Sequence, residues 1–400
     1  MADLNTRDSS DCDCSDEKYY QTPEPKTGLA PIVASDALLG TSKGKESISF
    51  PLLAMQFTLR HLVQCTEFCL ICHTKIISNF EALKPYVCSS PLCLYQYMTL
   101  GFGPSIEYEI LSQPTVVDLL VSFCYLSASA GRLKEYPVGM NLLIPSEASI
   151  QVSYSISTNE LLFEDSLSLN ASLGLAVGRW VKVRGCLYGP NHPEDIHLKV
   201  LDMSGYPVVK VSTPVRDDRA TRQAGVPSDA VDPDTSQLID PAPGSCSIYS
   251  TQFDTCGDKE KRDAILSIID TFPSVLEMRT WLQRYSKVGE EASLKNWAER
   301  ISPTALGVLR WIIASNRSCI IPVDQFLDQE GNVAPAPKGK KKGSDRRIPG
   351  VDGWLQFRFA MGSPDKEQRF VSCVRDAQKR LNLACPDLPL FRCYPLVLTS

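Results

Sequence analysis

From Pro51 the apolar positions fall at helical spacing, with Leu52, Phe57 and Leu59 leading to Leu62, Val63 and a cysteine-rich stretch. Ser90 and Pro91 fit an N-cap and first helical position, Leu92, Tyr95 and Thr99 recur on one face, and Gly101 stands where a C-terminal cap falls. A second helix is predicted over Thr115–Ala128. Between about 146 and 213 the period drops to two in IQVSYSIS, RWVKVRG, IHLKVLDM and YPVVKVS, separated by Gly, Pro and Asn turns, which predicts a small antiparallel β unit. Helical spacing returns at Asp258: Ala264, Ile265, Ile268, Ile269 and Phe272 form one stripe, Val275, Leu276, Trp281 and Leu282 follow, and Ser302-Pro303 caps LGVLRWII. The last segment opens on the alternating strand WLQFRF, with Trp354, Gln356 and Arg358 on one side and Leu355, Phe357 and Phe359 on the other. Ser363-Pro364 then starts a helix whose stripe is Phe370, Val374, Ala377 and Leu381, with Lys366, Arg369, Arg375 and Lys379 outside it. After Pro389, LFRCYPLVLTS begins another apolar strand.

Between these patterned stretches lie polar ones. Residues 1–49 read as a disordered acidic tail, 214–250 and 331–350 as Pro-rich and basic linkers, because none offers enough apolar surface to offset ordering entropy. The predicted architecture is α+β in several pieces: a Cys-rich helical zinc module over 50–138, a β-rich unit over 139–213, a helical subdomain over 251–330, and a final strand-helix piece over 351–400.

Composition narrows the setting. With 43% hydrophobic and 22% charged residues the chain can build real cores, and a net charge of −5 gives no general pull toward nucleic acid or anionic membrane. The N-terminus lacks a basic region followed by an apolar core, and the strongest apolar run, TVVDLLVSFCYL, is too short and carries Asp118. An intracellular setting, cytoplasmic or nuclear and without membrane insertion, is therefore expected. There, 15 cysteines read as metal ligands before they read as disulfides.

Cys69 and Cys72 form C-x2-C and, after fifteen intervening residues, Cys88 and Cys93 form C-x4-C, the spacing of a closed four-thiolate zinc site. Cys65 or His73 could replace a member, and the alternative is a set of small buried hydrophobes. A zinc with four protein ligands is structural, so this site carries no hydrolytic chemistry. Cys12 and Cys14 make a C-x-C pair that reads as solvated. His61, His73, His192 and His197 form no further ligand set; His192 and His197 read as surface residues of a β-turn. No GxxxxGK[ST], GxGxxG after a strand, or GxSxG elbow occurs. The basic run Lys338–Arg347 reads as a solvated loop first and as a nuclear-import or nucleic-acid patch second.

Three stretches, CLICHTKIISNFEALKPYVCSSPLCLYQYMTLGFG with TVVDLLVSFCY, then RISPTALGVLRWIIASNRSCI, then GWLQFRFAMGSPDKEQRFVSCVRDAQKRL, resemble the poly(ADP-ribose) polymerase-like ADP-ribosyltransferases. They match the branch with a cysteine-rich region ahead of its catalytic domain, and cover about a quarter of the chain. The resemblance implies transfer of ADP-ribose from NAD to side chains of protein acceptors. It also implies a histidine-glycine motif where Leu390-Phe391 is instead followed by Arg392-Cys393, and no histidine follows His197. The expectation is a chain truncated or misread near residue 391, without an NAD pocket, and so with no catalytic or cofactor-binding residue to assign. The competing reading is a non-enzymatic, zinc-stabilised protein-interaction module, linked to the ubiquitin system by analogy with relatives fused to a ubiquitin-conjugating domain.

Overall fold

The computed structural model describes residues 50–52, 54–55, 58–59, 65–76, 82–164, 174–185, 194–216, 240–286, 292–322, 326–327, 333–334, 355–381 and 395–398. Cys12, Cys14, His61, His192, the Lys338–Arg347 run and Leu390–Cys393 lie outside them. The chain divides into two compact units, 1–88 and 89–400. In the first, residues 65–76 and 82–88 form a small knuckle around the bridge Phe68–Lys75, while Leu52 and Leu59 stand on a helical stretch with their side chains exposed.

The second unit opens with α1 (Pro91–Thr99), α2 (Ile106–Ser112) and α3 (Pro114–Ser129). Pro91 sits at the first helical position of α1 as predicted. At the other end Gly101 takes φ +78°, and the Gly101 and Phe102 amides donate to the carbonyls of Met98 and Tyr97, closing the last turn in a Schellman arrangement. Leu92, Tyr95 and Thr99 do share a face, but it is the exposed one; Cys93, Leu94, Tyr97 and Met98 are buried. Much later in sequence come α4 (Asp258–Asp270), α5 (Val275–Ser286) and α6 (Pro303–Ser315), the last capped by Ser302 Oγ, which accepts the Ala305 amide at 3.0 Å.

These two sets of helices are not separate subdomains. Helix α3 packs on α4, α5 and α6, and α6 also touches α1 and α2. The Glu107 carboxylate accepts the Leu294 amide, Arg310 donates to the Met98 carbonyl at 2.8 Å, and Arg317 pairs with Glu135. Each short amphipathic segment is marginal alone, and one shared core lets all six bury their apolar stripes. Ile265, Ile268, Ile269 and Leu282 fall inside it as their spacing predicts; Leu276 remains exposed.

The β unit is inserted between α3 and α4. Its strands are β1 (Leu143–Pro145), β2 (Ile150–Ser155), β3 (Glu160–Phe163), β4 (Trp180–Gly185), β5 (Glu194–Asp202), β6 (Val208–Val211), β7 (Val215–Arg216) and β8 (Ala242–Gln252). All pairings are antiparallel, and the order β8-β2-β3-β6-β5-β4 closes because β4 also pairs with β8. The result is a six-stranded barrel with β1 and β7 attached at its edges. Inward residues alternate along each strand: Val152 and Tyr154, Leu161 and Phe163, Val181 and Val183, Ile196, Leu198 and Val200, Val209 and Val211, then Ala242, Cys246 and Ile248. They fill the interior, and burial pushes the Cys246 thiol up to about 12.

Strand β8 corrects the expected 214–250 linker, whose last residues close the barrel. The strand APGSCSIYSTQ keeps period two, but its first inward positions, Ala242 and Gly244, are small. Gly244 must be, because a Cβ there would stand 2.8 Å from the Arg184 carbonyl oxygen and 3.3 Å from the Gly185 Cα.

Strand β12 (Leu355–Met361) pairs with β9 (Cys319–Pro322) on one side and β13 (Pro395–Leu398) on the other, and Phe357 packs with Ile320 on Val116 and Leu119 of α3. Its alternation is broken, with Gln356 buried beside Phe357 and Leu355 exposed. In α7 (Pro364–Leu381), Phe370 and Val374 are half-buried. A two-residue hairpin pair, β10 (Phe326–Leu327) and β11 (Val333–Ala334), completes the description and enters the stretch expected as the basic linker.

Candidate metal centre

The knuckle is built by backbone hydrogen bonds that turn the chain at the first cysteine pair. The Cys69 amide donates to the Thr74 carbonyl and the His73 amide to the Cys69 carbonyl, both at 3.0 Å, with His73 in the left-handed region at φ 55°. A second segment is then laid alongside: the Leu70 amide donates to the Tyr86 carbonyl at 2.8 Å and the Ala82 amide to Thr66. This delivers Cys88 to the first pair, where its amide donates to the Cys69 sulfur at 3.4 Å. Cys72 and Cys88 have their sulfurs 3.8 Å apart, and Thr74 Oγ1 lies 3.2 Å from the Cys72 sulfur.

Five residues after Cys88, the Ser90-Pro91 helix start places Cys93 in the first turn of α1, its amide donating to the Ser90 carbonyl. The sulfurs of Cys69, Cys72, Cys88 and Cys93 all lie within 4.8 Å of one another. Cys69 and Cys93 are buried, Cys72 and Cys88 half-buried.

This geometry can be tested against an ion. Four sulfurs at about 2.3 Å from a central zinc occupy tetrahedral corners about 3.8 Å apart. The Cys72–Cys88 separation equals that edge, and the 4.8 Å limit for the whole set requires only small side-chain adjustments. The Cys88 amide and the N-terminal turn of α1 put partial positive charge beside sulfurs that must carry negative charge as ligands. The four-cysteine cluster therefore fits a metal ion, and an all-thiolate donor set favours zinc or iron-sulfur chemistry over hard cations. His73 is exposed and is not in the group; the Cys65 side chain lies outside the described residues.

The histidine expected at a β-turn is elsewhere. His197 is 1% exposed in the middle of β5, its Nδ1 2.7 Å from the Tyr249 hydroxyl. Nothing in IHLKVLD announces this. His197 occupies an outward position between the core residues Ile196 and Leu198, and its burial comes from β7 and from Tyr249 of β8, elements distant in sequence. Both side chains are buried, His197 at 1% and Tyr249 at 5% exposed. On the same strand Asp195 receives Lys182 at 2.6 Å and a bidentate Arg184 at 2.8 and 3.0 Å. Burial opposes ionisation there, but the hydrogen bonds and charges of Arg184 and Lys182 outweigh it and hold the carboxyl at about 2.

Among the described residues no single helix is long and apolar enough to cross a membrane. No family model matches the chain, and no solved structure matches it. A 101-residue stretch, 24% of the chain, is 33% identical to human "Protein mono-ADP-ribosyltransferase PARP8", of which it covers 12%. The mouse protein of the same name is 33% identical over 76 residues, 19% of the chain and 9% of the relative. The chain thus matches only about a tenth of the length of these curated relatives. The similarity supports a partial relationship to poly(ADP-ribose) polymerase-like proteins.

Proposed function

We propose that this chain is a zinc-braced, non-catalytic portion of a protein related to the mono-ADP-ribosyltransferases, in which Cys69, Cys72, Cys88 and Cys93 hold a structural zinc. The observation that carries the reading is the convergence of four thiols in the region whose sequence first suggested the resemblance. When bound, zinc supplies cross-linking: with all four positions filled by sulfur there is no vacant site at which to activate water. The chain's own contribution is to hold the four donors through the knuckle hydrogen bonds and the first turn of α1.

In the full-length protein the proposed activity is transfer of ADP-ribose from NAD to protein side chains. Arg392-Cys393 stand where the resemblance places histidine and glycine, so no nicotinamide-binding role is carried over to these positions. A positioned base contributes typically ~10²–10⁴-fold and oriented electrostatics a similar or larger factor. A chain without either is expected to show no measurable turnover. Incubation of the purified chain with labelled NAD and an acceptor mixture is expected to give neither incorporated label nor released nicotinamide above background; sustained turnover would overturn the non-catalytic reading.

A further inference from the structure

We infer that the four-cysteine centre is a peroxide-responsive zinc switch in which Cys72 and Cys88 are the oxidisable pair. The inference rests on the zinc reading above and adds regulation to it. Two features single out this pair. Cys69 is 0% and Cys93 5% exposed, so their sulfurs are shielded, whereas Cys72 and Cys88 are both half-buried and reachable by a small oxidant. Their sulfurs stand 3.8 Å apart, and a disulfide of about 2.0 Å needs them to close by roughly 2 Å, within reach of side-chain rotation.

The electrons balance with a hydroperoxide as oxidant. One sulfur of the pair attacks the peroxide oxygen; the O–O bond breaks, hydroxide leaves, and a sulfenic acid forms. The other sulfur attacks that sulfenic sulfur, expelling a second hydroxide and forming the S–S bond. In total two thiolates give up two electrons, one hydrogen peroxide takes them, and the hydroxides are protonated by water. Only Cys69 and Cys93 would then remain as donors, and two sulfurs would hold zinc too weakly to retain it. A dithiol reductant reverses the step, and the site refills when zinc is present.

The test uses the full chain loaded with zinc. Hydrogen peroxide is added stepwise while a chromogenic chelator reads released zinc, and residual thiols are alkylated before non-reducing digestion and mass spectrometry. The expected result is about one zinc released per chain, a peptide pair linked through Cys72 and Cys88, alkylated Cys69 and Cys93, and zinc rebinding after dithiol treatment. Zinc held through excess peroxide, or a linkage joining Cys69 to Cys72 instead, would overturn the switch while leaving the zinc site standing. A chain that takes up no zinc before peroxide is added removes both readings, and that failure is visible at the first step.

Discussion

At the scale of single residues, three positions carry claims sharp enough to measure. Asp195 is held in its ionised form by Lys182 and Arg184 on the barrel wall, and Asp195→Asn leaves two cations facing a neutral amide, at an expected cost of about 1–2 kcal/mol in urea unfolding. The sign in pH follows from the direction of the shift. The folded carboxyl titrates at about 2, below its ordinary value of 3.8, so its contribution is complete above about pH 4 and is lost as pH falls toward 2. The gap between wild type and variant should therefore be constant at neutral pH and shrink below about pH 4. Gly101→Ala forces a side chain into φ +78° and should cost about 1 kcal/mol although open space surrounds the site. Gly244→Ala meets backbone at 2.8 Å instead and should cost more, about 2–3 kcal/mol, by opening the β4–β8 seam. Circular dichroism melts of the two glycine variants, compared side by side, would contradict the barrel closure if Gly244→Ala proved the milder.

At the scale of elements, legibility followed the size and regularity of the buried side chains. Helices α3, α4 and α6 could be read from the sequence because Ile, Leu and Val recur at helical spacing and Ser302-Pro303 marks a start. Strands β2, β4 and β5 could be read for the matching reason, period-two Val, Ile and Leu. Strand β8 could not. Its inward residues Ala242 and Gly244 carry almost no hydrophobic signal, and its prolines imitate a linker. The amphipathic face of α1 was ambiguous for another reason: Leu92 and Tyr95 are as apolar as Leu94 and Tyr97, and only packing against α6 decides which pair is inside. The four-cysteine cluster was legible because C-x2-C and C-x4-C constrain geometry locally, whereas the burial of His197 depends on β7 and β8 and has no local signature. Truncating Phe357 to Ala on strand β12 should cost about 3–5 kcal/mol, since it is 1% exposed between β9 and α3.

At the scale of the whole molecule, the second unit is a helical core made by two segments of chain with a closed barrel inserted between them, and Cys69, Cys72, Cys88 and Cys93 form a cluster that fits a metal ion. The central claim is that this cluster holds one zinc through sulfur alone. Replacing Cys69 and Cys88 together with serine should abolish metal uptake and loosen residues 65–100 in hydrogen exchange, while the barrel amides remain protected. The most direct measurement is zinc-edge X-ray absorption on the purified chain, read together with its metal content. The account predicts about one zinc per chain surrounded by four sulfurs at about 2.3 Å. Absence of bound metal after loading under reducing conditions, or a first shell dominated by nitrogen and oxygen, would contradict it.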